Sequence, residues 1–504
     1  MQIQGLARRL QVLARETPNR IFANTSSGPV TFQTLATAAE GFAQRYHDRG
    51  LRKGDRVVVM MANSLPSLAI IHGLLRAGLV WVPVNPALVG ASLAHVIRTV
   101  GPSLIICDHE VTARLSECAE AEGIPVDPMQ NDELPAAALP VSAEFPEPGD
   151  LASIMFTSGT TGPAKGVMVS HMMLELAAQG VVLCGDMKTG DNLFVWEPFY
   201  HIGGAQVLMV PLLRNVHLTI ADRFSASRFW QQVAEAGCTH IHHLGGIIQI
   251  LLKQAESPWE RAHKVRIAWG GGCPPIAWRA FEQRFAVQIR ECYGMTECSS
   301  LTTWNNDGVV GSVGRAMPWF EIELKDENGR TLKPGEGPGE IVVRTSLPGA
   351  ITQGYYGNPA ATAKALQPDG FHTGDLGSWD DDGMLFFLGR MTDSVRCKGE
   401  NVSAFEVETV ANLHPEVVDS AMVGVPGEVG EHDILLFIQT HDQSTIDLDQ
   451  LWRWMAERLA PHQRPRYVKV VNEFQRTPSQ RIQKHLLPTG QEGRWDAAQL
   501  KKAP

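Results

Sequence analysis

The sequence has no block of basic residues. Its 44 lysines and arginines are outnumbered by 54 aspartates and glutamates, which gives a formal net charge of −10 at pH 7. Affinity for a nucleic acid depends on clustered positive charge that neutralises the phosphate backbone. We therefore expect no nucleic acid partner.

The sequence also lacks a long uninterrupted apolar run. The longest candidate, residues 65–86, is broken by His72, Arg76 and several prolines, so it is a poor membrane span. Residues 1–22 show an amphipathic helical pattern without the apolar centre of a signal peptide. These features predict a protein without integral membrane association.

Paired cysteines are missing as well. The eight cysteines are scattered, with no C-x-x-C pair and no regular framework. A disulfide-stapled secreted domain is thereby disfavoured, and we expect reduced thiols in a cytoplasmic protein.

The first 380 residues instead contain an alternation of Val/Ile-rich runs with helical patterns, such as a strand over 56–61, a helix over 67–77 and a strand over 80–84. This alternation predicts an α/β fold of layered βα subdomains with largely parallel sheets. Turn clusters between residues 321 and 344 predict hairpins, and therefore a β-rich subdomain.

The last part of the chain has a pattern of its own. It predicts a helix over 404–413 and strands over 417–425 and 467–471, which together suggest a small α+β domain. We therefore predict a large N-terminal domain over 1–390 and a small mobile domain over 391–504.

A segment rich in Ser, Thr and Gly runs from residue 157 to residue 166. Its glycines allow main-chain N–H groups to converge on an anion, and its hydroxyls add further donors. A lysine near its end supplies a compact positive charge. The segment predicts a loop that binds the polyphosphate of a nucleotide. Its candidate residues are Thr157, Ser158, Gly159, Thr160, Thr161, Gly162 and Lys165.

The spacing in this loop differs from G-x-x-x-x-G-K-[ST], so an ordinary NTPase is disfavoured. Such a segment can also be a flexible surface loop. However, apolar runs at 151–156 and 167–169 flank it, and a tight loop between two strands fits that arrangement better.

Four further clusters follow in a fixed order: Gly270–Pro275, Tyr293–Glu297, His372–Asp375 and Gly389-Arg390. Together with the loop, they resemble the adenylate-forming superfamily of acyl-CoA synthetases, peptide-synthetase adenylation domains and luciferases. Residues 398–403 look most like the bacterial ligases related to crotonobetaine/carnitine-CoA ligase. The resemblance implies a ligase that joins a small carboxylic acid to coenzyme A through an acyl-adenylate, using ATP and Mg²⁺.

The resemblance also implies a role for the residues around the phosphates. The loop that ends at Lys165 would hold the β- and γ-phosphates. Glu297 would ligate Mg²⁺ as a hard oxygen donor, and Thr296 would contact the α-phosphate. No general base is needed, because a carboxylic acid is already ionised at neutral pH.

Adenosine would be bound by the other clusters. Tyr293, with Gly294 beside it, would stack on adenine, and the backbone at Gly271 and Gly272 would let the base approach. Asp375 would accept hydrogen bonds from the ribose hydroxyls. Arg390 would reach ribose or phosphate. Each of these residues, taken alone, also has a purely structural interpretation.

The acyl group would lie near Phe199–Gly204, which matches the family segment whose histidine borders the acyl pocket. His201 would orient the carboxylate, and Gly203 and Gly204 would leave room for the acyl chain. The histidines of Thr239–His243 could suggest a metal site, but no Cys, Asp or Glu lies near them in sequence. We expect instead that this strand lines the pocket, through His242, His243 and Gly245.

The small domain would rotate between the two half-reactions, about a pivot at Thr392. Lys398 and Gly399 would then lie beside the pantetheine of coenzyme A. Relatives commonly carry Gly-Lys where this chain has Gln480-Arg481, and that lysine bridges the carboxylate and the α-phosphate. Arg481 keeps the positive charge but has a planar, forked shape.

Two alternatives stay open at this stage: loading of a carrier-protein thiol, and a nucleotide-binding pseudoenzyme. The acid itself is not identified, although Trp196 or Trp304 could face a quaternary ammonium group. A homodimer is possible, since it is the commonest symmetric assembly.

Overall fold

The computed structural model describes residues 3, 5–118, 121–129, 134–135, 144–157, 163–244, 246–397, 400–427, 432–440, 446–476 and 482–500. Within these ranges, the backbone forms two mostly parallel sheets with helices, an antiparallel sheet and a separate C-terminal unit. The predicted α/β fold class is confirmed.

The first sheet contains six strands in the order β6-β5-β3-β4-β7-β8, and only the β7–β8 pair is antiparallel. Its strands are β3 (Arg56–Met60), β4 (Val80–Pro83), β5 (Leu104–Asp108), β6 (Val126–Met129), β7 (Leu151–Thr157) and β8 (Lys165–Ser170). The predicted loop between two strands is therefore the connection of the β7–β8 hairpin.

The second sheet contains seven strands in the order β13-β12-β11-β9-β10-β1-β2, and only the β1–β2 pair is antiparallel. Its strands are β1 (Ile21–Thr25), β2 (Gly28–Thr31), β9 (Asn192–Val195), β10 (His217–Ile220), β11 (His240–Leu244), β12 (Ile267–Gly271) and β13 (Gln288–Glu291).

Eleven α-helices connect and cover these strands within the described residues up to Phe285. They are α1 (Leu6–Glu16), α2 (Phe32–Asp48), α3 (Leu65–Ala77), α4 (Gly90–Val100), α5 (Thr112–Ser116), α6 (His171–Cys184), α7 (Ile202–Val207), α8 (Val210–Leu213), α9 (Phe229–Glu235), α10 (Ile247–Leu252) and α11 (Pro275–Phe285). None of the helices that the structure describes is both long and apolar enough to cross a bilayer.

Helix α3 illustrates how local sequence sets these boundaries. Ser64 and Ser67 form a reciprocal capping box, and Pro66 stands in the first turn, where it costs no hydrogen bond. Gly78 ends the helix with φ of +67°, a conformation that favours glycine. Gly73 lets α3 pack against α2, because a Cβ there would lie 2.9 Å from the Ala39 carbonyl oxygen.

An antiparallel sheet follows, as the turn clusters predicted. Its path is β17-β16-β18-β20-β19, with β21 paired to β20. The strands are β16 (Glu321–Lys325), β17 (Thr331–Leu332), β18 (Gly339–Arg344), β19 (Leu366–Gln367), β20 (Gly370–Trp379) and β21 (Leu385–Arg390), with β14 (Thr303–Trp304) and β15 (Arg315–Ala316) before them and α12 (Pro359–Ala365) between β18 and β19.

The C-terminal unit has a hairpin, two helices and a four-stranded sheet of order β24-β25-β26-β27. Its hydrophobic clusters contain residues from 395 onwards, whereas the clusters of the preceding part end at residue 387. Its elements are β22 (Ser394–Cys397), β23 (Glu400–Ser403), α13 (Ala404–Asn412), β24 (Val417–Pro426), β25 (His432–Thr440), α14 (Leu448–Ala456), β26 (Tyr467–Val471) and β27 (Trp495–Asp496).

Candidate active site

The sequence clusters meet where β12 and β13 end, beside the β7–β8 hairpin and the β20–β21 pair. Gly271 is the last residue of β12, and Tyr293 follows β13 directly. Ligands of α/β sheets bind outside the carboxyl ends of parallel strands. This edge of the seven-stranded sheet is therefore where a nucleotide site is expected.

Lys165 and Glu297 are connected through one tyrosine. The Lys165 Nζ lies 4.6 Å from the ring centroid of Tyr355, and the Tyr355 hydroxyl donates a hydrogen bond of 2.9 Å to Glu297 Oε1. Burial and the Glu297 charge raise the pKa of Tyr355 well above its usual range, so the phenol stays protonated and remains a donor.

The backbone around Tyr355 holds this arrangement in place. Residues Val167 and Tyr355 form a β-bridge, and Tyr356 N donates to the Gly166 carbonyl at 2.7 Å. The Thr352 N–H donates to the carbonyl oxygen of Glu297 at 2.8 Å. The segment thus ties β8, which begins at Lys165, to the turn that carries Glu297.

Asp375 and Arg390 form the second half of the site. They are opposite each other in the β20–β21 register, and Arg390 Nε lies 3.5 Å from Asp375 Oδ1. The Tyr293 hydroxyl donates to Asp375 Oδ2 at 2.7 Å. Tyr293 also stacks on Phe387, with ring centroids 5.6 Å apart, so its phenol and one ring face are already positioned by protein contacts.

The two halves belong to one site. The charge of Arg390 opposes the rise in the pKa of Tyr355. Burial, together with the charges of Glu297 and Asp375, raises the pKa of the Cys298 thiol. The structure thus brings Lys165, Glu297, Asp375 and Arg390 close together.

Main-chain geometry shapes the glycine segment next to Tyr293. Gly272 has φ of +91°, and Glu291 accepts hydrogen bonds from the N–H groups of Gly272 and Cys273, at 2.5 and 3.0 Å. Burial raises the pKa of Glu291 to about 8. At Gly294, a Cβ would lie 1.6 Å from the Ser300 carbonyl oxygen, so only glycine fits there.

Two of the residues predicted to contact phosphate lie within the described part of the chain. Thr296 is buried in the short turn with Glu297, and Thr157 ends β7 opposite Lys165. The other predicted residues of the loop, the coenzyme A segment, the pocket strand and the C-terminal motif lie outside the described residues: Ser158, Gly159, Thr160, Thr161, Gly162, Gly245, Lys398, Gly399 and Arg481.

His201 is the N-cap residue of α7, and 35% of its side chain is exposed. Its Nδ1 accepts a hydrogen bond from Gly203 N at 3.3 Å. In the neutral form, the proton therefore resides on Nε2, which can donate to a carboxylate.

The sequence did not predict Glu197. This buried carboxylate lies 2.6 Å from His242 Nδ1 and 3.8 Å from His201 Nδ1. It also changes the interpretation of the two glycines, which we expected to leave room for an acyl chain. A Cβ at Gly203 would lie 2.3 Å from Glu197 Oε2, and one at Gly204 would lie 2.2 Å from the Pro198 carbonyl oxygen. These glycines accommodate protein atoms instead.

The other two histidines of β11 are embedded in the core. The His240 Nε2 pairs with the Gly185 carbonyl at 2.8 Å. His243 is fully buried, and burial lowers its pKa to about 3. Its Nε2 faces Glu291 Oε2 at 3.8 Å. Among the described residues, no group of three or more His, Cys, Asp or Glu side chains could hold a metal ion.

Lys484, a lysine near the C-terminus, pairs with two carboxylates. Its Nζ lies 2.8 Å from Glu408 Oε1 and 3.5 Å from Asp393 Oδ2. These carboxylates outweigh the opposing effect of burial and raise the pKa of Lys484. The ammonium therefore holds the segment after Arg390 against α13.

Tyr355, Glu197 and Glu291 were missed because none of them belongs to a motif that we used. The signal for Glu197 was present, since it is an acid that directly follows an apolar strand. Tyr355 gave no comparable signal, because its partners are distant in sequence.

Comparisons with known proteins agree with this geometry. The family model described as AMP-binding enzyme matches residues 10–356, and the AMP-binding enzyme C-terminal domain matches residues 406–481. Crotonobetaine/carnitine–CoA ligase of Salmonella paratyphi A is 28% identical over 475 residues, which cover 88% of this chain and 90% of that protein.

Two further relatives match over nearly their full length. The 2-succinylbenzoate–CoA ligase of a Geobacillus species is 29% identical, with 95% of this chain and 96% of that protein covered. The crystal structure of ATP-bound MatB from Rhodopseudomonas palustris superimposes with a TM-score of 0.86 at 28% identity, covering 95% of this chain and 98% of that one. With its site residues assembled in one place and the first model matching well over half of its length, the chain belongs to the AMP-binding enzyme family.

Proposed function

We propose that the protein is an ATP-dependent carboxylate–CoA ligase. In the first half-reaction, a carboxylate oxygen of the acid attacks the α-phosphorus of ATP, and pyrophosphate leaves. In the second, the thiol sulfur of coenzyme A attacks the acyl carbonyl carbon, AMP leaves with the bonding electron pair, and the thiol proton is released. The convergence of Lys165, Glu297, Asp375 and Arg390 carries this proposal.

The chemistry of the site suits the first half-reaction. Two anions must approach each other, so fixed positive charge and N–H donors do more for the reaction than a base would. Lys165, with the phosphate loop, would face the outer phosphates. Arg390 and Asp375 would hold the ribose, and His201 Nε2 would donate to the substrate carboxylate.

The residues present fit a bound Mg²⁺. Mg²⁺ in such enzymes takes oxygen ligands from one or two carboxylates and from the substrate phosphates. Glu297 offers a carboxylate next to the lysine that would bind those phosphates, and Tyr355 fixes its orientation. When bound, the ion would neutralise charge on the phosphates, and Glu297 would be its protein ligand.

The small domain would act as the lid, with residues 1–390 as the fixed part and 391–504 as the moving part. Separate hydrophobic clusters on the two sides of residues 388–394 support this division. A change of lid position would allow Arg481 to serve adenylation, and Lys398 and Gly399 to serve thioester formation. A cytoplasmic location and a homodimer complete the proposal.

The test follows both products. The protein is incubated with ATP, Mg²⁺ and a panel of carboxylic acids, with and without coenzyme A, while pyrophosphate, AMP and thioester are measured. We expect thioester only when coenzyme A is present. Adenylate formation without use of coenzyme A would assign a carrier-protein thiol as the acceptor, and no pyrophosphate with any acid would reject the ligase.

A further inference from the structure

The strand that carries Asp375 contains a bulge. In the β18–β20 register, Glu340 pairs with Leu376, and Val342 pairs with His372. One residue of β18 lies between these two pairs, against three residues of β20, so β20 has two additional residues here. Bulges re-aim side chains and are common next to active sites. This bulge ends at Asp375, the aspartate that would hold the ribose.

The bulge interrupts the ladder, so its N–H groups need other partners. The Gly374 N–H donates to Glu340 Oε1 at 3.0 Å, and the Asp375 N–H donates to Thr373 Oγ1 at 3.1 Å. The Thr373 hydroxyl donates in turn to the Ile341 carbonyl at 2.7 Å. Gly374 has φ of +71°, a conformation that favours glycine. Side chains therefore hold the shape of the bulge where the ladder does not.

Glu340 is itself held by an imidazole. His372 Nδ1 donates to Glu340 Oε2 at 2.8 Å, and His372 Nε2 donates to Asp369 Oδ1 at 3.1 Å. Burial lowers the pKa of His372, but its hydrogen bonds to the two carboxylates outweigh burial and raise the pKa above its ordinary value. An imidazole that donates from both nitrogens carries a positive charge. Its hydrogen bond to Glu340 is therefore charge-assisted, and such bonds are stronger than neutral ones.

The same row of charges extends to the neighbouring strand β16. Asp369 Oδ2 accepts a hydrogen bond from Lys325 Nζ. The side chains of Lys325, His372 and Glu340 are only 10%, 15% and 19% exposed, so salt screens their interactions less than those of surface charges. The row of alternating charges ends at the Gly374 N–H and thereby connects the bulge to the sheet.

The bulge determines where the Asp375 carboxylate lies. That carboxylate accepts from the Tyr293 hydroxyl at 2.7 Å and lies 3.5 Å from Arg390 Nε. Binding groups must be held within about 0.5 Å of their productive position by the residues that support them. Glu340 bonds to the backbone of the bulge, at Gly374, so its effect on a nucleotide would pass through the position of Asp375.

We propose that Glu340 is a positioning residue for the nucleotide. With His372 behind it, Glu340 holds the bulge of β20 so that Asp375 accepts hydrogen bonds from the ribose hydroxyls. This proposal rests on the proposed function, because it takes the ribose of ATP as the ligand of Asp375.

The experiment compares two nucleotides, ATP and 2′,3′-dideoxy-ATP, by calorimetric titration without an acid substrate. The dideoxy compound lacks the hydroxyls that Asp375 would bind, so the wild-type protein should bind ATP more tightly. Glu340→Ala should lower the affinity for ATP about tenfold and that for dideoxy-ATP by at most about twofold, which is the scale of one hydrogen bond to a charged group. A general loss of folding would weaken both nucleotides alike.

Further variants test the order of the contacts. His372→Leu should lower the affinity for ATP less than Glu340→Ala does, because the Gly374 N–H keeps its acceptor. The double variant should be no weaker than Glu340→Ala alone, since residues that act through one contact are not additive. Glu340→Gln keeps the volume and one acceptor oxygen, and should recover part of the affinity.

Glu336→Ala is the matched control. The Glu336 carboxylate also accepts a backbone N–H, that of Lys333 at 2.9 Å, but in the turn between β17 and β18. Both affinities should stay unchanged in this variant.

Equal losses for the two nucleotides in Glu340→Ala would overturn the proposal, and so would a wild-type protein that binds ATP and dideoxy-ATP equally. Additive losses in the double variant would overturn the role of His372. Pyrophosphate exchange with the panel of acids tests the ligase function separately. If no acid supports exchange, the ligase is rejected, while the two nucleotide affinities still decide the role of Glu340.

Discussion

The nucleotide side and the acyl side of this site are built differently. On the nucleotide side, Lys165, Glu297, Asp375 and Arg390 each belong to a short glycine-containing motif. Tyr355 donates a hydrogen bond to Glu297 and lies beside Lys165, and Tyr293 donates a hydrogen bond to Asp375. On the proposed acyl side, Glu197 follows β9 without belonging to a motif, and His242 belongs to β11, the strand that we expected to line the pocket. Chemistry that every member of the family shares can be recognised by local sequence, whereas the acyl side must differ among enzymes that use different acids.

The largest expected effect concerns the nucleotide side. Arg481→Ala should lower acyl-adenylate formation by about a hundredfold or more, which is the scale of losing one oxyanion donor. Thioester formation from supplied acyl-adenylate should remain mostly intact, because the arginine would serve only the first half-reaction. Single-turnover assays of the two steps measure this, and equal losses in both would reject the role of Arg481.

A smaller effect is expected at Tyr355, which we regard as a positioning residue. Tyr355→Phe keeps the ring beside Lys165 but removes the hydrogen bond to Glu297. We expect Mg²⁺ to increase the affinity for ATP about tenfold less in this variant than in the wild-type protein, because a partner of the metal ligand has been removed. Calorimetric titration of ATP with and without Mg²⁺ gives this response independently of turnover.

The controls for Tyr355 separate its two contacts. Tyr355→Leu removes both the ring and the hydroxyl, so ATP binding should weaken even without Mg²⁺. Tyr356→Phe changes the neighbouring tyrosine and should leave both titrations unchanged. If Tyr355→Phe responds to Mg²⁺ like the wild-type protein, the hydroxyl does not position Glu297.

Glu291 lies between the two sides, and its pKa predicts that the stability of the protein depends on pH. Its folded-state pKa of about 8 exceeds the unfolded value of 4.5, so the folded state binds the proton more tightly. The stability that this proton contributes is fully present below about pH 4.5 and is lost as the pH rises through about 8. Glu291→Gln cannot ionise and keeps an acceptor for Gly272 and Cys273.

The melting temperature of Glu291→Gln should therefore fall less than that of the wild-type protein between pH 5.5 and pH 8.5. Scanning calorimetry at both values measures the difference. Parallel melting temperatures for the two proteins would show that Glu291 does not hold a proton in the folded state.

The smallest effect concerns the link between the acyl side and the lid. Lys253, directly after α10, donates to the carbonyl oxygens of Val417 and Val418 at 2.8 and 3.0 Å. Lys253→Met keeps the aliphatic length but loses both bonds, each of which contributes only about 1–3 kcal/mol. Limited proteolysis near residue 391 should become modestly faster, while Lys264→Met, which changes another lysine of the large domain, should have no effect.

The fold was accessible from sequence where local periodicity decides structure. The predicted strand at 56–61 is β3 (Arg56–Met60), and the predicted helix at 404–413 is α13 (Ala404–Asn412). These elements follow from local residue patterns, which act over a few positions. The start of α3 lies two residues before the predicted one, because the capping box at Ser64 starts the helix earlier, whereas its end at Ala77 agrees with the prediction.

Sequence by itself determined the family, the layered α/β fold and the motifs that meet in the candidate site, because glycines, hydroxyls and charges at fixed spacing leave a local signature. Only the tertiary structure decided that Tyr355 joins Lys165 to Glu297, that Gly203 accommodates a carboxylate, and that Glu197 meets His242. Those contacts join residues from separate elements, and burial, which sets their charge and hydrogen bonding, exists only once the sheets and helices have packed.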